Sequence, residues 1–285
     1  MKLITWNIQW ARGVDGLVDP RRIIDHARTM ADFDVLCLQE VAANFVDLDG
    51  NDATDQFALF AGLLPGFTAV EGIGVDVDDG KGGRKRFGNL ILSRYRVAQA
   101  LRHLLPWEAA VTRNMPRVLV EAVATTPFGP VRLMTTHLEY SSPLLRATQV
   151  EGIREAHRMG AARQRMPREA GPHTYAPTPN TASAILTGDF NMRPEDPSLA
   201  RLMAPFADET PPLVDLWPAV MGEAPPPPTA FIVDRTYGPP GCLDYVLATP
   251  DLAARARSIV CDVETRVSDH QPILVEFDVG PAQAD

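Results

Sequence analysis

The stretch Ala184-Ile185-Leu186-Thr187-Gly188-Asp189-Phe190-Asn191 decides how the whole chain is read. A short, mostly apolar run ends abruptly in a glycine, an acid and an amide. A run of this length reads as a strand buried on both faces. Polar groups at such a strand end fall where an α/β protein builds a site. The same pattern recurs in both directions along the chain. Lys2–Ile8 contains Trp6-Asn7, Val35–Gln39 runs into Glu40, and Val131–His137 ends in His137. Further on, Leu243–Ala248 opens as Leu243-Asp244-Tyr245, and Ser268-Asp269-His270 precedes Ile273–Phe277. Asn89–Ser93 and Arg117–Ala124 complete the set of expected strands.

Helices are expected between them. Asp19-Pro20, followed by Ile23, Ile24, Ala27 and Met30, supplies an N-cap, a first-turn proline and helical spacing. Asp55–Leu64 is a second helix, and Ser142-Pro143 opens a third with Leu144, Ala147, Val150 and Ile153 on one face. Asp196-Pro197 opens a short fourth with Leu199 and Leu202. Prolines cluster at Pro211-Pro212, Pro225–Pro228 and Pro239-Pro240, and residues 167–181 form another polar, proline-containing connection. These read as stiff loops. Pro225–Pro228 followed by Thr229-Ala230-Phe231 is either one wall of a cleft or a simple connector. No shift of composition marks a linker, so one α/β domain over residues 1–285 is expected.

The chain has 285 residues, with 27 Lys+Arg against 36 Asp+Glu, for a formal net charge of −9. This acidic balance argues against a protein that coats nucleic acid by bulk charge. Cys37, Cys242 and Cys261 have no metal-ligand spacing, which excludes a structural zinc site. The N-terminus enters a strand at once, without the pattern of a signal peptide, and no apolar run reaches the ~18 residues of a membrane span. A cytoplasmic monomer without membrane insertion is expected.

Each strand-end residue is weak evidence alone. An acid after a strand is usually a turn former or helix cap, and a lone histidine is usually just hydrogen-bonded. Asp244 stands out, because an acid inside an apolar run is costly to bury without a partner. Together the residues make a chemical set. Glu40, Asp189, Asp244 and Asp269 supply hard anionic oxygens, Asn7 and Asn191 supply amides, and His137 and His270 supply imidazoles. Hard oxygens without thiolates suit Mg²⁺ or Mn²⁺, and a cation relieves crowded carboxylates. Phosphoryl chemistry is the natural task of such a cluster.

The series Trp6-Asn7, Leu38-Gln39-Glu40, Thr136-His137-Leu138, Gly188-Asp189-Phe190-Asn191, Leu243-Asp244-Tyr245 and Ser268-Asp269-His270 resembles the endonuclease/exonuclease/phosphatase superfamily. The match runs from residue 5 to residue 277. His137-Leu138-Glu139-Tyr140 is similar to the histidine-containing branch of deoxyribonucleases, sphingomyelinases and tyrosyl-DNA phosphodiesterases. The resemblance implies a four-layered α/β/β/α sandwich, with two mixed sheets face to face and helices outside. It also implies phosphoester hydrolysis with Mg²⁺ or Mn²⁺. By position, Glu40 is then the principal metal ligand, supported by Asn7 and Asp269. Asp189 orients or deprotonates the attacking water, and Asn191 holds that water or the phosphate. His270, oriented by Asp244, contacts the scissile phosphate, and His137 stabilises phosphate charge or assists the leaving oxygen. Asn89 and Arg117 are candidate substrate-binding residues.

Substrate choice rests on the loops. Lys81-Gly82-Gly83-Arg84-Lys85-Arg86, with Arg94, Arg96, Arg102, Arg113 and Arg117 beyond it, is the most basic part of the chain. It reads either as a solvated turn or as a phosphate-contacting edge whose glycines let the backbone approach a polyanion. Of the nearby aromatics, Phe87, Tyr95 and Trp107 read first as packing residues. A nuclease-like or DNA-repair-type phosphodiesterase is the leading expectation, with nucleic acid among its partners. The alternatives are a phosphoesterase for small-molecule or lipid head-group phosphates and a catalytically silent binding module.

Overall fold

The computed structural model describes residues 1–109, 113–166 and 169–280. Residues 167 and 168 of the connection 167–181 lie outside this range. In chain order the elements are β1 (Lys2–Asn7), α1 (Pro20–Met30), β2 (Val35–Ala43), α2 (Gln56–Leu63), β3 (Thr68–Asp78) and β4 (Arg84–Ser93). Then come β5 (Val97–Leu104), β6 (Val118–Thr126), β7 (Gly129–His137), α3 (Pro143–Arg165), β8 (Ala184–Asp189) and α4 (Pro197–Met203). The last are β9 (Val214–Asp215), α5 (Leu216–Met221), β10 (Asp244–Ala248), α6 (Pro250–Ala253), β11 (Ala256–Cys261) and β12 (Ile273–Phe277). The expected caps start the helices: Asp19, Asp55, Ser142 and Asp196 each accept a backbone N–H of the first turn.

Two six-stranded sheets form, in the orders β11-β12-β1-β2-β4-β3 and β5-β6-β7-β8-β10-β9. Strand alternation sorts their side chains into three buried layers. Leu3, Val35, Cys37, Ile91, Val120, Leu133, Ile185 and Val246 meet between the sheets. Ile4, Trp6, Leu36, Leu38 and Leu90 face Ile23, Ile24, Phe57 and Phe60 of α1 and α2. On the opposite side Met134, Leu186 and Leu247 face Val150, Ile153, Leu199 and Leu202 of α3 and α4. The result is the expected α/β/β/α sandwich of two mixed sheets.

Strand direction places the site. β1 and β2 are parallel, as are β7 and β8, while the remaining pairings are antiparallel. The C-terminal ends of β1, β7 and β8 deliver Asn7, His137 and Asp189, and an irregularity within β2 delivers Glu40. The antiparallel neighbours β10 and β12 contribute from their starts, with Asp244 opposite Asp189 in the ladder and Asp269-His270 just before β12. The two groups of strand ends lie at the same end of the sandwich.

β3, β5, β9 and β11 were not among the expected strands, and they are the four sheet edges. Edge strands pair on one side only and leave many positions half-buried or exposed, as in β3 and β5. They therefore lack the apolar run that marks a central strand. The basic stretch lies largely in a strand. Arg84, Lys85 and Arg86 belong to β4 and are ion-paired: Arg84 with Asp76, Lys85 with Asp47, and Arg86 with Asp55 and Glu71. These pairs link β3 to β4 and tie the hairpin to the segments that carry Asp47 and Asp55.

Candidate active site

Two local departures from regular strand geometry aim the acids. In β2, strict alternation would send Glu40 outward with Leu36 and Leu38. The β2–β4 register slips between Leu38 and Val41, and Glu40 adopts φ +61°. This bulge turns its carboxylate into the cleft instead. In β8, Gly188 has φ +139°, and a Cβ there would sit 1.9 Å from the Thr136 carbonyl oxygen. Only glycine lets β8 pass so close to β7, and that passage sets His137 directly beside Asp189 in the ladder. Asn191 follows at φ +52°. Positive φ at the two non-glycine site residues, Glu40 and Asn191, is backbone strain of the kind held at functional sites.

The side chains interlock. Asn7 Nδ2 donates to Glu40 Oε1 at 3.0 Å and to Asp189 Oδ2 at 2.9 Å, while its Oδ1 accepts the Gln9 N–H. Asp189 Oδ1 accepts the Asn191 N–H at 2.9 Å. Asn191 Nδ2 donates to the Leu138 carbonyl and to His137 Nε2, both at 3.0 Å. That assigns the His137 proton to Nδ1, which lies 3.7 Å from Glu40 Oε1. His270 Nδ1 bonds Asp244 Oδ2 at 2.9 Å, and its Nε2 lies 3.7 Å from Asp189 Oδ2. Thr229 Oγ1 donates to Asp244 Oδ2 at 2.7 Å and accepts the Asp244 N–H. Ser268 Oγ lies 3.3 Å from Asp269 Oδ1.

Electrostatics follow from burial and crowding. Burial, then the charge of Asp269, pushes the Glu40 carboxyl up to about 7. Burial and the nearby Arg117 keep His137 well below the ordinary histidine range, so it is neutral. For His270 burial acts downward, but Asp244 and Asp189 outweigh it and hold the ring well above that range. The two histidines are thus pushed in opposite directions within one cleft. Asp244, the anomalous acid of the sequence, is explained by its imidazole and hydroxyl partners.

Glu40, His137, Asp189, Asn191, Asp269 and His270 line one cleft of about 400 Å³. Asn7 and Asp244 sit immediately behind it, bonded to Glu40, Asp189 and His270. Arg117 lines the cleft while 7% exposed, and its Nε and Nη1 have no hydrogen-bond partner. Its nearest ion-pair partner is Glu139, at 3.8 Å. Asn89 donates to the Val118 carbonyl at 2.9 Å and lies beside Arg117 and His137. Asn7 is bonded at both ends of its amide and sits against the two carboxylates.

Residues 4–270 match the Endonuclease/Exonuclease/phosphatase family. The chain belongs to that family. Its members are hydrolases acting on phosphoesters, generally with a divalent metal. Among solved structures, an endonuclease/exonuclease/phosphatase from Beutenbergia cavernae is 24% identical, with TM-score 0.63, covering 96% of this chain and 70% of that one. A Bacteroides thetaiotaomicron mannosyl-6-phosphatase is 17% identical, with TM-score 0.62, covering 98% and 99%. D. rerio TDP2 complexed with a single-strand DNA product is 19% identical, with TM-score 0.63, covering 98% of each chain. These likenesses establish the shared fold. Among curated proteins none matches significantly.

Sequence reasoning missed most of the endonuclease/exonuclease/phosphatase cleft wall. Trp10, Phe45, Tyr140 and Tyr237 line it, joined by Phe87 and by Phe231 from the segment after the proline run. Phe231 packs edge-on against the His270 ring at 5.6 Å. Tyr95 and Trp107 stay outside. Thr229, the support of Asp244, carried no sequence signal, since a threonine after prolines is ordinary loop composition.

Proposed function

We propose that the chain is a divalent-metal-dependent phosphoesterase that hydrolyses a phosphodiester by in-line attack of water. One observation carries the reading: half-buried Glu40, buried Asp189 and Asp269, a histidine bonded to Asp244, and an arginine with two unbonded donors meet in one cleft.

The donor set fits a hard divalent ion. Three carboxylates crowd one region without a thiolate, and Glu40 is pushed up by burial and by Asp269, the condition a cation relieves. Glu40 and Asp269 would hold Mg²⁺ or Mn²⁺, with Asn7 fixing Glu40 from behind. Such an ion, when bound, supplies charge neutralisation on a non-bridging phosphoryl oxygen.

The chain's own groups do the rest. Asp189 is held on both oxygens, by Asn7 and by the Asn191 N–H, so it aligns a water and takes its proton as the new O–P bond forms. The bond to the leaving oxygen breaks on the opposite side, and that oxygen gains its proton from solvent. His270, charged and fixed by Asp244, donates from Nε2 to a phosphoryl oxygen. Arg117 adds a guanidinium whose Nε and Nη1 donors are otherwise unused. His137, being neutral, supplies an acceptor that fixes Asn191 and a donor at Nδ1, so Arg117 rather than His137 brings the charge.

A phosphoester panel with Mg²⁺ or Mn²⁺, with and without EDTA, tests the reading. Hydrolysis that disappears with EDTA and returns with added metal is expected. Metal-independent hydrolysis, or none across the panel, overturns it. Between the substrate readings, the ion-paired state of Arg84, Lys85 and Arg86 favours the small-molecule alternative over the nuclease-like one.

A further inference from the structure

Trp10, Phe45, Leu48, Val75, Phe87 and Met115 form one continuous apolar wall of the cleft. The wall is built, not incidental. Trp10 adopts φ +45°, and its Nε1 donates to the Asp49 carbonyl at 3.0 Å, tying it to the loop after β2. Phe45 meets Phe87 edge to face at 6.1 Å between ring centroids. A desolvating wall of this kind serves no purpose for a phosphate. It serves the group attached to the phosphate.

Charge sets the other limit. Arg117 is the one Lys or Arg among the described residues lining the cleft. The nearby cations of β4 are paired, Arg94 pairs with Asp32 and Asp34, and Arg102 donates to the Glu71 carbonyl. The carboxylates of Glu40, Asp189 and Asp269 line the same cleft. A nucleic-acid strand needs a row of cations for its successive phosphates. Along the apolar wall a second and third phosphate would meet no further Lys or Arg among the described residues that line the cleft.

We infer that the cleft takes a low-molecular-weight phosphodiester bearing one uncharged, ring-sized group, seated on the Trp10–Phe45–Phe87 wall, and not a nucleic-acid strand. This rests on the phosphoesterase reading above. About 400 Å³ holds a phosphoryl group with one such substituent.

The test compares phenyl p-nitrophenyl phosphate with methyl p-nitrophenyl phosphate, which share a leaving group, and a single-stranded oligodeoxynucleotide, all with Mn²⁺ or Mg²⁺. The phenyl ester should exceed the methyl ester in kcat/KM by about tenfold or more, and the oligonucleotide should be the poorest substrate. Phe45→Ala should lower the phenyl-to-methyl ratio several-fold, mainly through KM, and Phe45→Leu should restore part of it. Diphenyl phosphate should bind the metal-free protein more tightly than dimethyl phosphate, seen as a fluorescence change lost in Trp10→Phe. A ratio near one that Phe45→Ala leaves unmoved, or a preference for the oligonucleotide, overturns the inference while leaving the phosphoesterase standing. Hydrolysis of none of the three overturns both.

Discussion

Gly188→Ala tests whether one glycine holds the site together. The added Cβ would lie 1.9 Å from the Thr136 oxygen, whereas Cβ atoms essentially never approach closer than 3.0 Å. β7 and β8 must therefore separate by at least 3.0 − 1.9 = 1.1 Å at this point. The backbone at φ +139° adds a conformational penalty for any L-residue, about 1–3 kcal/mol. With lost strand packing the total comes to about 3–4 kcal/mol. The displacement falls at the Thr136–Gly188 pair, immediately before the His137–Asp189 pair. Misplacement by about 1 Å costs a catalytic arrangement on the order of a hundredfold. Urea unfolding would measure the stability loss, and kcat/KM on an aryl phosphodiester, assayed well below the unfolding temperature, would measure the misalignment. Stability within about 0.5 kcal/mol of wild type together with unchanged kcat/KM would refute the reasoning.

Asp189→Asn should lower kcat by about a thousandfold or more, and should lower stability by about 1–3 kcal/mol because the new NH2 opposes the Asn7 or Asn191 donor; a variant with full rate sinks the role of Asp189. Glu40→Gln should raise the Mg²⁺ concentration needed for half-maximal activity, and an unchanged titration would count against it as a ligand. His157 is a separate matter of stability. Buried against Arg132, it accepts from that guanidinium and donates to the Pro211 carbonyl, and burial, then Arg132, pulls it down to about 4. The unfolded chain takes up this proton near 6.5 and the folded one does not. This contribution is therefore intact above about pH 6.5 and declines toward pH 4, by about 3 kcal/mol in all. His157→Gln should flatten the loss of stability between pH 6.5 and 4, and an identical pH slope in variant and wild type would contradict it.

Much of the fold was legible because central strands and helices write themselves locally. Ala184–Thr187 and Val131–Thr136 are apolar because both faces are covered, and Asp19-Pro20 and Ser142-Pro143 announce helices by cap chemistry. Edge strands such as β3 and β11 were not legible, since half of each faces solvent. The ion pairs of the basic stretch were not legible for a related reason: Lys85 and Arg86 look free in the chain, and their partners Asp47 and Asp55 lie far from them in sequence.

By itself, then, the sequence determined which residue types stand at which strand ends, and with them the family and the acid, amide and imidazole set. The tertiary structure alone decided what those groups face. The parallel pairs β1–β2 and β7–β8 bring Asn7, Glu40, His137 and Asp189 together, the bulge at Glu40 turns an outward residue inward, and Thr229 supports Asp244 across a loop. The apolar wall was invisible for the same reason. Trp10, Phe45 and Phe87 come from separate segments, and only long-range packing makes them neighbours.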